Sequence, residues 1–231
     1  MAGVVGLLLD LVLKVMQFMA KKRPIKGESS PKDTWQTAQA PGPMLHVAPG
    51  LLSPRRLRLC AIACCKSLWG ERDAWPGYVD LLQLAELVAD AGSEKRMREL
   101  SKQAAQFRRL AYPHGVIHLL ADDAGRAFDA LMHLMGLTAQ ERKRFADVLR
   151  EVAGNPFADI HLNPALIGWR DGTIPKLAQA CYDSNDFSAI GILGDALEDA
   201  ECDDGAIIEH VRSKQTHYRG CWVVDLILGK K

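Results

Sequence analysis

The sequence predicts an all-α fold, a multi-helix array with an amphipathic N-terminal helix and a compact C-terminal cluster of short helices. Apolar residues recur at intervals of three and four, as in "YVDLLQLAELVADAG", and no stretch alternates polar and apolar residues as a half-buried strand does. Helix start signals precede these stretches: Ser53 before Pro54, and Thr138 three residues before Glu141. Together these patterns favour helices throughout.

Four regions follow from the composition along the chain. Residues 1–21 form the amphipathic N-terminal helix, and residues 22–53, rich in Pro, Gly and Ser, form a linker and an irregular segment. Residues 54–154 form a helical domain. Residues 155–231 form a C-terminal helical subdomain that packs on it.

The N-terminal helix has one narrow polar stripe on an otherwise apolar surface. Asp10, Lys14, Gln17 and Lys21 recur at helical spacing, and charges at the bilayer centre argue against a membrane span. We expect the apolar side to contact a membrane surface, or to pack against the rest of this protein or a partner protein. The residues predicted to make this contact are Leu8, Leu11, Val12, Val15 and Phe18.

Three helices are predicted in the middle of the chain before Pro113. The first opens at Pro54 as "PRRLRLCAIACCKSLW", with Ser53 as its N-cap. The second is "YVDLLQLAELVADAG", which Gly92 ends. The third runs from Ser93 to about residue 112, because Pro113 interrupts the pattern.

The second half repeats this organisation. Helices are predicted in "DDAGRAFDALMHLMG" and in "TAQERKRFADVLREVAG", where Gly154 closes the helix. Two Asn-Pro steps in "NPFADIHLNPALIGWRDGT" predict an ordered loop with a short turn. Four short helices follow, in "PKLAQACYDSNDF", "AIGILGDALEDAE", "DGAIIEHVR" and "GCWVVDLIL".

The last of these helices explains an apolar run near the C-terminus. Gly220 permits a tight entry, and Asp225 is predicted to lie off the apolar face. We therefore expect the helix to dock into a core and to be needed for folding of the C-terminal third. The residues predicted to share its apolar face are Trp222, Val223, Leu226 and Ile227.

Charge and cysteine content limit the classes of function. With 29 basic and 28 acidic residues the formal charge is +1, too balanced for a protein that grips phosphate backbones, so nucleic acid is not an expected partner. Residues 1–112 carry a net charge of +7 and residues 113–231 a net charge of −6, which favours attraction between the two halves. The six scattered cysteines indicate free, mostly buried thiols in a reducing, cytoplasmic compartment.

The histidines and cysteines near the C-terminus are the candidates for chemistry. His217 and Cys221 are four residues apart, with Cys202 and His210 nearby, and zinc takes such ligands where helices converge. A second hypothesis is a catalytic Cys221–His217 pair in which Asp225 orients the imidazole. Trp222 beside Cys221 favours a packed thiol instead, so we predict no catalytic residue, no metal and no cofactor.

A second histidine pair, His114 and His118, also has a spacing compatible with a metal on a helix. The zinc-protease motif requires a Glu directly after the first histidine, and Gly115 stands there. We therefore expect these two histidines to face solvent or to cap a helix.

Two charged groups are candidate interaction surfaces. Asp195, Glu198 and Asp199 share one face of a helix, opposite a predicted buried side of Ile192, Leu193, Ala196 and Leu197. Positive charge near a helix N-terminus is locally unfavourable, so a second group is expected to meet the acidic helix or a phosphate. Its residues are Arg55, Arg56 and Arg58.

Several motifs resemble an uncharacterised protein family abundant in planctomycete bacteria. They are "TWQTAQAPGPMLHV", "RLRLCAIACCKSLW", "GNPFADIHLNPALIGWRDGTIPKLAQACYD", "ILGDALEDAECDD" and "HYRGCWVVDLILGK". The resemblance covers about residues 34–69 and 151–230 and implies no established activity. The family has a further cysteine where Ile62 stands and an aromatic where Cys60 stands, and residues 1–33 have no counterpart.

These observations favour a non-enzymatic helical module for protein interaction or scaffolding, with an unknown protein partner. One alternative is a membrane-peripheral component attached through residues 1–23. Another is a zinc-binding or thiol-dependent protein centred on His217 and Cys221.

Overall fold

The fold is described by a computed structural model for residues 29–48, 50, 52–70, 77–104, 107 and 138–230. Within these ranges the chain forms α-helices and no β-strand, which confirms the predicted all-α fold. The predicted N-terminal helix, with Leu8, Leu11, Val12, Val15 and Phe18, lies outside the described residues. His114 and His118 also lie outside them.

Six helices precede residue 154 in the described part of the chain. As predicted, Ser53 caps one of these helices, because its side-chain oxygen accepts a hydrogen bond from the backbone N–H of Arg56. The predicted capping box between Thr138 and Glu141 is also present. The helices are α1 (Pro31–Thr37), α2 (Pro41–Val47), α3 (Pro54–Trp69), α4 (Tyr78–Ala89), α5 (Glu94–Ala104) and α6 (Ala139–Ala153).

Five short helices follow Gly154, whose positive φ of 67° ends α6 as predicted. Four of them match the predicted short helices, and the remaining one is a single turn within the predicted ordered loop. They are α7 (Pro164–Gly168), α8 (Thr173–Ser184), α9 (Ile190–Asp199), α10 (Gly205–Arg212) and α11 (Trp222–Ile227).

The apolar side chains form two cores that meet between α6 and α11. The first core surrounds α3, whose residues 58–65 are all buried, and α3 packs on α4 and α6. The second core is formed by α7 to α11. Because α6 contacts α11, side chains at that boundary join the two cores.

The segment predicted to be a linker and irregular is partly helical, and that prediction is corrected for its described part. Both α1 and α2 begin at a proline, and Trp35 and Met44 are buried in the first core. The Trp35 indole N–H donates to the Gly154 carbonyl at 2.9 Å. Proline at the first helical position resembles a loop signal in the sequence, although it starts a helix well.

The entry to α11 shows why a glycine is needed before the C-terminal helix. Gly220 has a φ of 94°, and a Cβ there would lie 2.9 Å from Leu59 Cδ1. Trp222, Val223 and Ile227 are buried, as the docked-helix prediction requires. Leu226 is half-buried.

Two predictions about helix faces are wrong. Asp225, predicted to lie off the apolar face of α11, is fully buried, because it pairs with Arg55. Ile192, predicted on the buried side of α9, is 55% exposed, whereas Leu193 and Leu197 are fully buried. A helical pattern identifies an apolar face, but it does not identify which polar edge residue finds a buried partner.

An ion-pair cluster, here called the arginine node, joins the two cores on one side of the boundary. The Arg55 guanidinium donates to Asp90 at 2.7 Å, to both Asp225 oxygens at 2.5 and 3.0 Å, and to the Tyr182 hydroxyl at 2.9 Å. Arg219 donates to Asp90 at 3.0 and 3.1 Å, and the Tyr182 hydroxyl also bonds Asp90. The node therefore ties α3 and α4 to α8 and α11.

The charges of the arginine node compensate one another. Burial disfavours the charge on Arg55, but the hydrogen bond and charge of Asp225 outweigh it and raise the pKa of Arg55. Burial likewise opposes ionisation of Asp90, yet the hydrogen bonds from Tyr182 and Arg55 lower the pKa of that carboxyl. Both groups are therefore held in their charged forms.

None of the helices in the described part of the chain is long and apolar enough to cross a membrane.

Candidate metal centre

Four side chains with metal-ligating atoms meet where the two cores join. Glu151 lies in the last turn of α6, His210 lies in α10, and His217 lies in the loop between α10 and α11. Cys221 is the N-cap residue of α11. One ligand atom from each residue lies within 4.8 Å of all the others. These four residues are called the Glu-His-His-Cys cluster below.

The carboxylate of Glu151 is the hydrogen-bond acceptor at the centre of the cluster. His217 Nδ1 lies 3.1 Å from Oε1, and His210 Nε2 lies 3.2 Å from Oε2. The Gln215 amide donates to Oε2 at 2.8 Å, and the Tyr218 backbone N–H donates to Oε1 at 3.4 Å. Burial opposes ionisation, but the hydrogen bonds from His210 and His217 outweigh it and lower the pKa of Glu151.

The thiol of Cys221 is fully buried beside the two imidazoles. Its Sγ lies 3.2 Å from His210 Nε2 and 4.0 Å from His217 Nδ1. Burial, and then the negative charge of Glu151, raise the pKa of Cys221 well above its ordinary value. Without a metal the group is therefore a thiol rather than a nucleophilic thiolate. Asp225, the proposed orienter of such a nucleophile, bonds Arg55 in the arginine node instead.

The hydrogen bonds of His210 specify its tautomer. The Trp222 indole N–H donates to His210 Nδ1 at 2.9 Å, and the Gln215 amide nitrogen lies 3.3 Å from the same atom. An indole nitrogen is only a donor, so Nδ1 must be the acceptor. The ring proton therefore lies on Nε2, from which it is donated towards Glu151.

His217 has one nitrogen engaged and one without a partner. Nδ1 faces Glu151, whereas Nε2 is buried and has no hydrogen-bond partner among the described residues. The His217 and His210 rings meet edge to face, with their centroids 5.1 Å apart. With a proton on Nδ1, His217 leaves an unpaired lone pair inside the protein.

Two cavities flank the cluster. One, of about 520 Å³, is lined by Glu151 and His217 together with polar residues that include Lys66 and Arg144. The other, of about 440 Å³, is lined by His210, Gln215, Trp222 and Trp35 among others. Cys221 borders neither of these two cavities. The thiol is thus the most enclosed member of the cluster.

The structure brings together three of the four candidate metal ligands identified from the sequence. His210, His217 and Cys221 converge, whereas Cys202 is half-buried at the end of α9 and does not belong to the cluster. Glu151 takes its place and was not identified from the sequence. The only signal for it was an acidic residue at the edge of the apolar face formed by Val148 and Val152.

The predicted basic interaction group is largely internal. Arg58 is buried at 3% exposure, and Arg55 is committed to Asp90 and Asp225 in the arginine node. Nε of Arg56 is buried as well. The expectation that this group meets the acidic helix is therefore corrected for Arg55, which meets two other carboxylates.

The predicted acidic interaction group lies on the surface of α9. Arg212 of α10 pairs with Asp195 at 2.6 Å and with Glu198 at 2.7 Å, and Arg170 lies 3.9 Å from Asp199. These contacts give the acidic residues partners on the surface of the same C-terminal group of helices.

Comparison with protein-family models, with curated proteins and with solved structures finds no match for this chain. The resemblance to the planctomycete family therefore stays a prediction.

Proposed function

We propose that this protein binds one zinc ion through Glu151, His210, His217 and Cys221. The observation that supports the proposal is the convergence of one carboxylate, two imidazoles and one thiol, with ligand atoms within 4.8 Å of one another. A neutral imidazole, a thiolate and a carboxylate are all ligands that zinc accepts. The proposal therefore adopts the zinc-binding alternative from the sequence analysis and not the predicted interaction module.

The separations of the ligand atoms fit a tetrahedral ion. Zinc bonds of about 2.0–2.3 Å at tetrahedral angles place neighbouring ligand atoms about 3.3–3.6 Å apart. His210 Nε2 lies 3.2 Å from Glu151 Oε2 and from Cys221 Sγ, and His217 Nδ1 lies 3.1 Å from Glu151 Oε1 and 4.0 Å from Cys221 Sγ. Because the two imidazoles face different oxygens of Glu151, we expect this carboxylate to move when the ion binds.

Burial favours a structural role for the metal over a catalytic one. The side chains of Glu151, His210 and His217 are 2%, 9% and 4% exposed, and Cys221 is fully buried. A catalytic zinc keeps an open position for substrate, whereas a structural zinc is enclosed by four protein ligands. An ion here would join α6 of the first core to α10 and α11 of the second.

The free energy of zinc binding can be compared with that of the hydrogen bonds that the metal would replace. Each hydrogen bond that ligation disrupts contributes about 0.5–1.5 kcal/mol to stability. Structural zinc binding is worth about 10–16 kcal/mol in small zinc domains at neutral pH. The metal therefore outweighs the internal hydrogen bonds, and its charge stabilises the thiolate that Cys221 must supply.

Zinc titration of the metal-free protein, with a competing chelator, tests this proposal. We expect one ion per chain, and a melting temperature that rises with zinc because the ion binds the folded state. Cys221→Ser and His217→Gln should each weaken binding at least tenfold. Cys202→Ser is the matched control, a cysteine outside the cluster, and should bind zinc as the parent does.

A protein that keeps its helical circular dichroism but takes up no zinc would contradict the proposal. The cluster would then be a purely hydrogen-bonded junction between the cores. Equal loss of binding in Cys202→Ser and Cys221→Ser would also contradict it, because that result would place the metal elsewhere.

The interaction and membrane roles stay predictions. The acidic half of the interaction prediction keeps an exposed surface on α9, whereas the burial of Arg58 and the ion pairs of Arg55 weaken the basic half. The membrane prediction depends on residues 1–23, which lie outside the described residues.

A further inference from the structure

We infer that Trp222 opposes metal binding by holding His210 in the tautomer that cannot ligate a metal. This inference rests on the proposed zinc site and concerns its regulation. The Trp222 indole contacts the cluster through the ring of His210, including a hydrogen bond to Nδ1, and offers no metal ligand, so Trp222 is a positioning residue.

Metal binding at His210 Nε2 requires the ring proton to move to Nδ1. A metal can bind His210 Nε2 only if that atom offers a lone pair, and a neutral imidazole then carries its proton on Nδ1. Nδ1 faces the Trp222 indole N–H at 2.9 Å and the Gln215 amide nitrogen at 3.3 Å. The Gln215 amide can turn its oxygen towards a new Nδ1–H only by giving up its hydrogen bond to Glu151 Oε2, and the indole has no acceptor to offer.

Packing against Gly154 and His210 keeps the Trp222 indole in place. A Cβ on Gly154 would lie only 3.0 Å from Trp222 Cγ, so the indole already rests on the backbone of Gly154. The ring also stacks at an angle on His210, with centroids 5.0 Å apart. Because the indole is enclosed on these sides, two N–H groups would be forced to face each other when zinc binds.

The cavity of about 440 Å³ beside Trp222 can supply the acceptor that two facing N–H groups would need. It is lined by Trp35, His210, Gln215 and Trp222, so the two N–H groups can share one oxygen acceptor that enters from this side. A single water molecule bridging two donors is enough for this role. Zinc binding is therefore expected to break the direct indole–imidazole hydrogen bond.

Removing the indole N–H tests this mechanism, because a purely structural role of Trp222 would not predict tighter zinc binding in the variant. Trp222→Phe should bind zinc about tenfold more tightly than the parent, equivalent to about 1.4 kcal/mol. At the same time its metal-free form should melt at a lower temperature, because His210 loses a donor.

Trp35→Phe is the matched control. It also removes a buried indole hydrogen bond at the same cavity, but its acceptor is the Gly154 carbonyl rather than a cluster residue. It should lower the melting temperature without tightening zinc binding. Equal or weaker zinc binding in folded Trp222→Phe would overturn the inference and leave the zinc site itself intact.

A measurement on the unmodified chain covers the case in which Trp222→Phe does not fold. The indole N–H resonance of Trp222, assigned through its contact with His210, should shift on addition of one equivalent of zinc. An unchanged Trp222 resonance in zinc-loaded protein would overturn the inference. A chain that binds no zinc would overturn both this inference and the proposed function.

Discussion

The arginine node and the Glu-His-His-Cys cluster both join the first core to the second, and they differ in how their charges are satisfied. In the arginine node, the cations Arg55 and Arg219 face the anions Asp90 and Asp225. In the cluster, the single anion Glu151 is surrounded by imidazole, amide and backbone N–H groups.

Because of this difference, we expect the arginine node to act only in stability, whereas the Glu-His-His-Cys cluster has side chains that can ligate a metal. Guanidinium groups cannot give up their protons and cannot ligate a metal, so the arginine node has one chemical state near neutral pH. The cluster contains a thiol, which can give up its proton to a metal ion, and two imidazoles, which can ligate a metal through an unprotonated ring nitrogen. We therefore expect changes at the arginine node to affect stability alone, and changes at the cluster to affect metal binding as well.

Removing residues 220–231 is the largest perturbation, because it takes a residue from each junction. Four buried side chains of α11 are lost, worth together about 6–12 kcal/mol at roughly 1.5–3 kcal/mol each, and Arg55 loses Asp225. We expect the C-terminal third to unfold, with loss of helical circular dichroism and rapid proteolysis after residue 154. A shortened chain with unchanged dichroism and melting temperature would contradict a docked α11.

Arg55→Met isolates the arginine node. Asp225 is fully buried, and an unpaired buried charge costs about 3–5 kcal/mol. Adding Asp225→Leu should recover part of this loss, because the uncompensated charge is removed. Zinc affinity of the folded fraction should not change, and a large drop in affinity would show that the two junctions are not separate.

The control for Arg55→Met is an exposed ion pair of similar geometry. Lys143 lies 2.7 Å from Asp147, with 55% and 47% side-chain exposure. Lys143→Met should cost less than about 1 kcal/mol in a urea denaturation experiment. If both substitutions cost the same, burial would not be the reason for the effect at Arg55.

Gly220→Ala tests the backbone between the two junctions. The positive φ of 94° and the close approach to Leu59 each oppose a Cβ, so we expect a loss of about 2–4 kcal/mol from backbone strain and overpacking. Gly229→Ala is the matched control, because Gly229 has a φ of 65° with no atom within 4 Å of the added Cβ. Its cost should be clearly smaller, as measured by urea denaturation.

The smallest expected effect is the acid sensitivity that Asp90 contributes. Its pKa is lowered in the folded protein, so the folded state holds the proton less tightly than the unfolded chain does. The resulting stability is complete above the ordinary carboxyl pKa and is lost as the pH falls through the lowered value. Asp90→Asn should flatten this part of a stability profile below about pH 4, and an unchanged acid slope would argue against the contribution.

The sequence predicts the helical class and most helix boundaries because those signals are local. Proline at the first position of α3 and the capping box of α6 act within a few residues, so they can be recognised without the tertiary structure. The spacing of Trp222, Val223 and Ile227 likewise indicates the docked face of α11, although it does not indicate that Asp225 is buried.

The partners of buried polar groups could not be predicted, because they come from distant parts of the chain. Glu151 lies 59 and 66 residues from His210 and His217, and Arg55 lies 170 residues from Asp225. No local pattern records such pairings. From the sequence, therefore, three members of the Glu-His-His-Cys cluster were named as candidates together with Cys202, which lies outside the cluster, and the carboxylate at its centre was omitted.

X-ray absorption at the zinc edge of the zinc-loaded protein tests the central claim most directly. A site formed by Glu151, His210, His217 and Cys221 predicts one sulfur ligand at about 2.3 Å and three nitrogen or oxygen ligands at about 2.0–2.1 Å. Cys221→Ser should remove the sulfur shell. A spectrum with no sulfur or with two sulfur ligands would contradict the assignment.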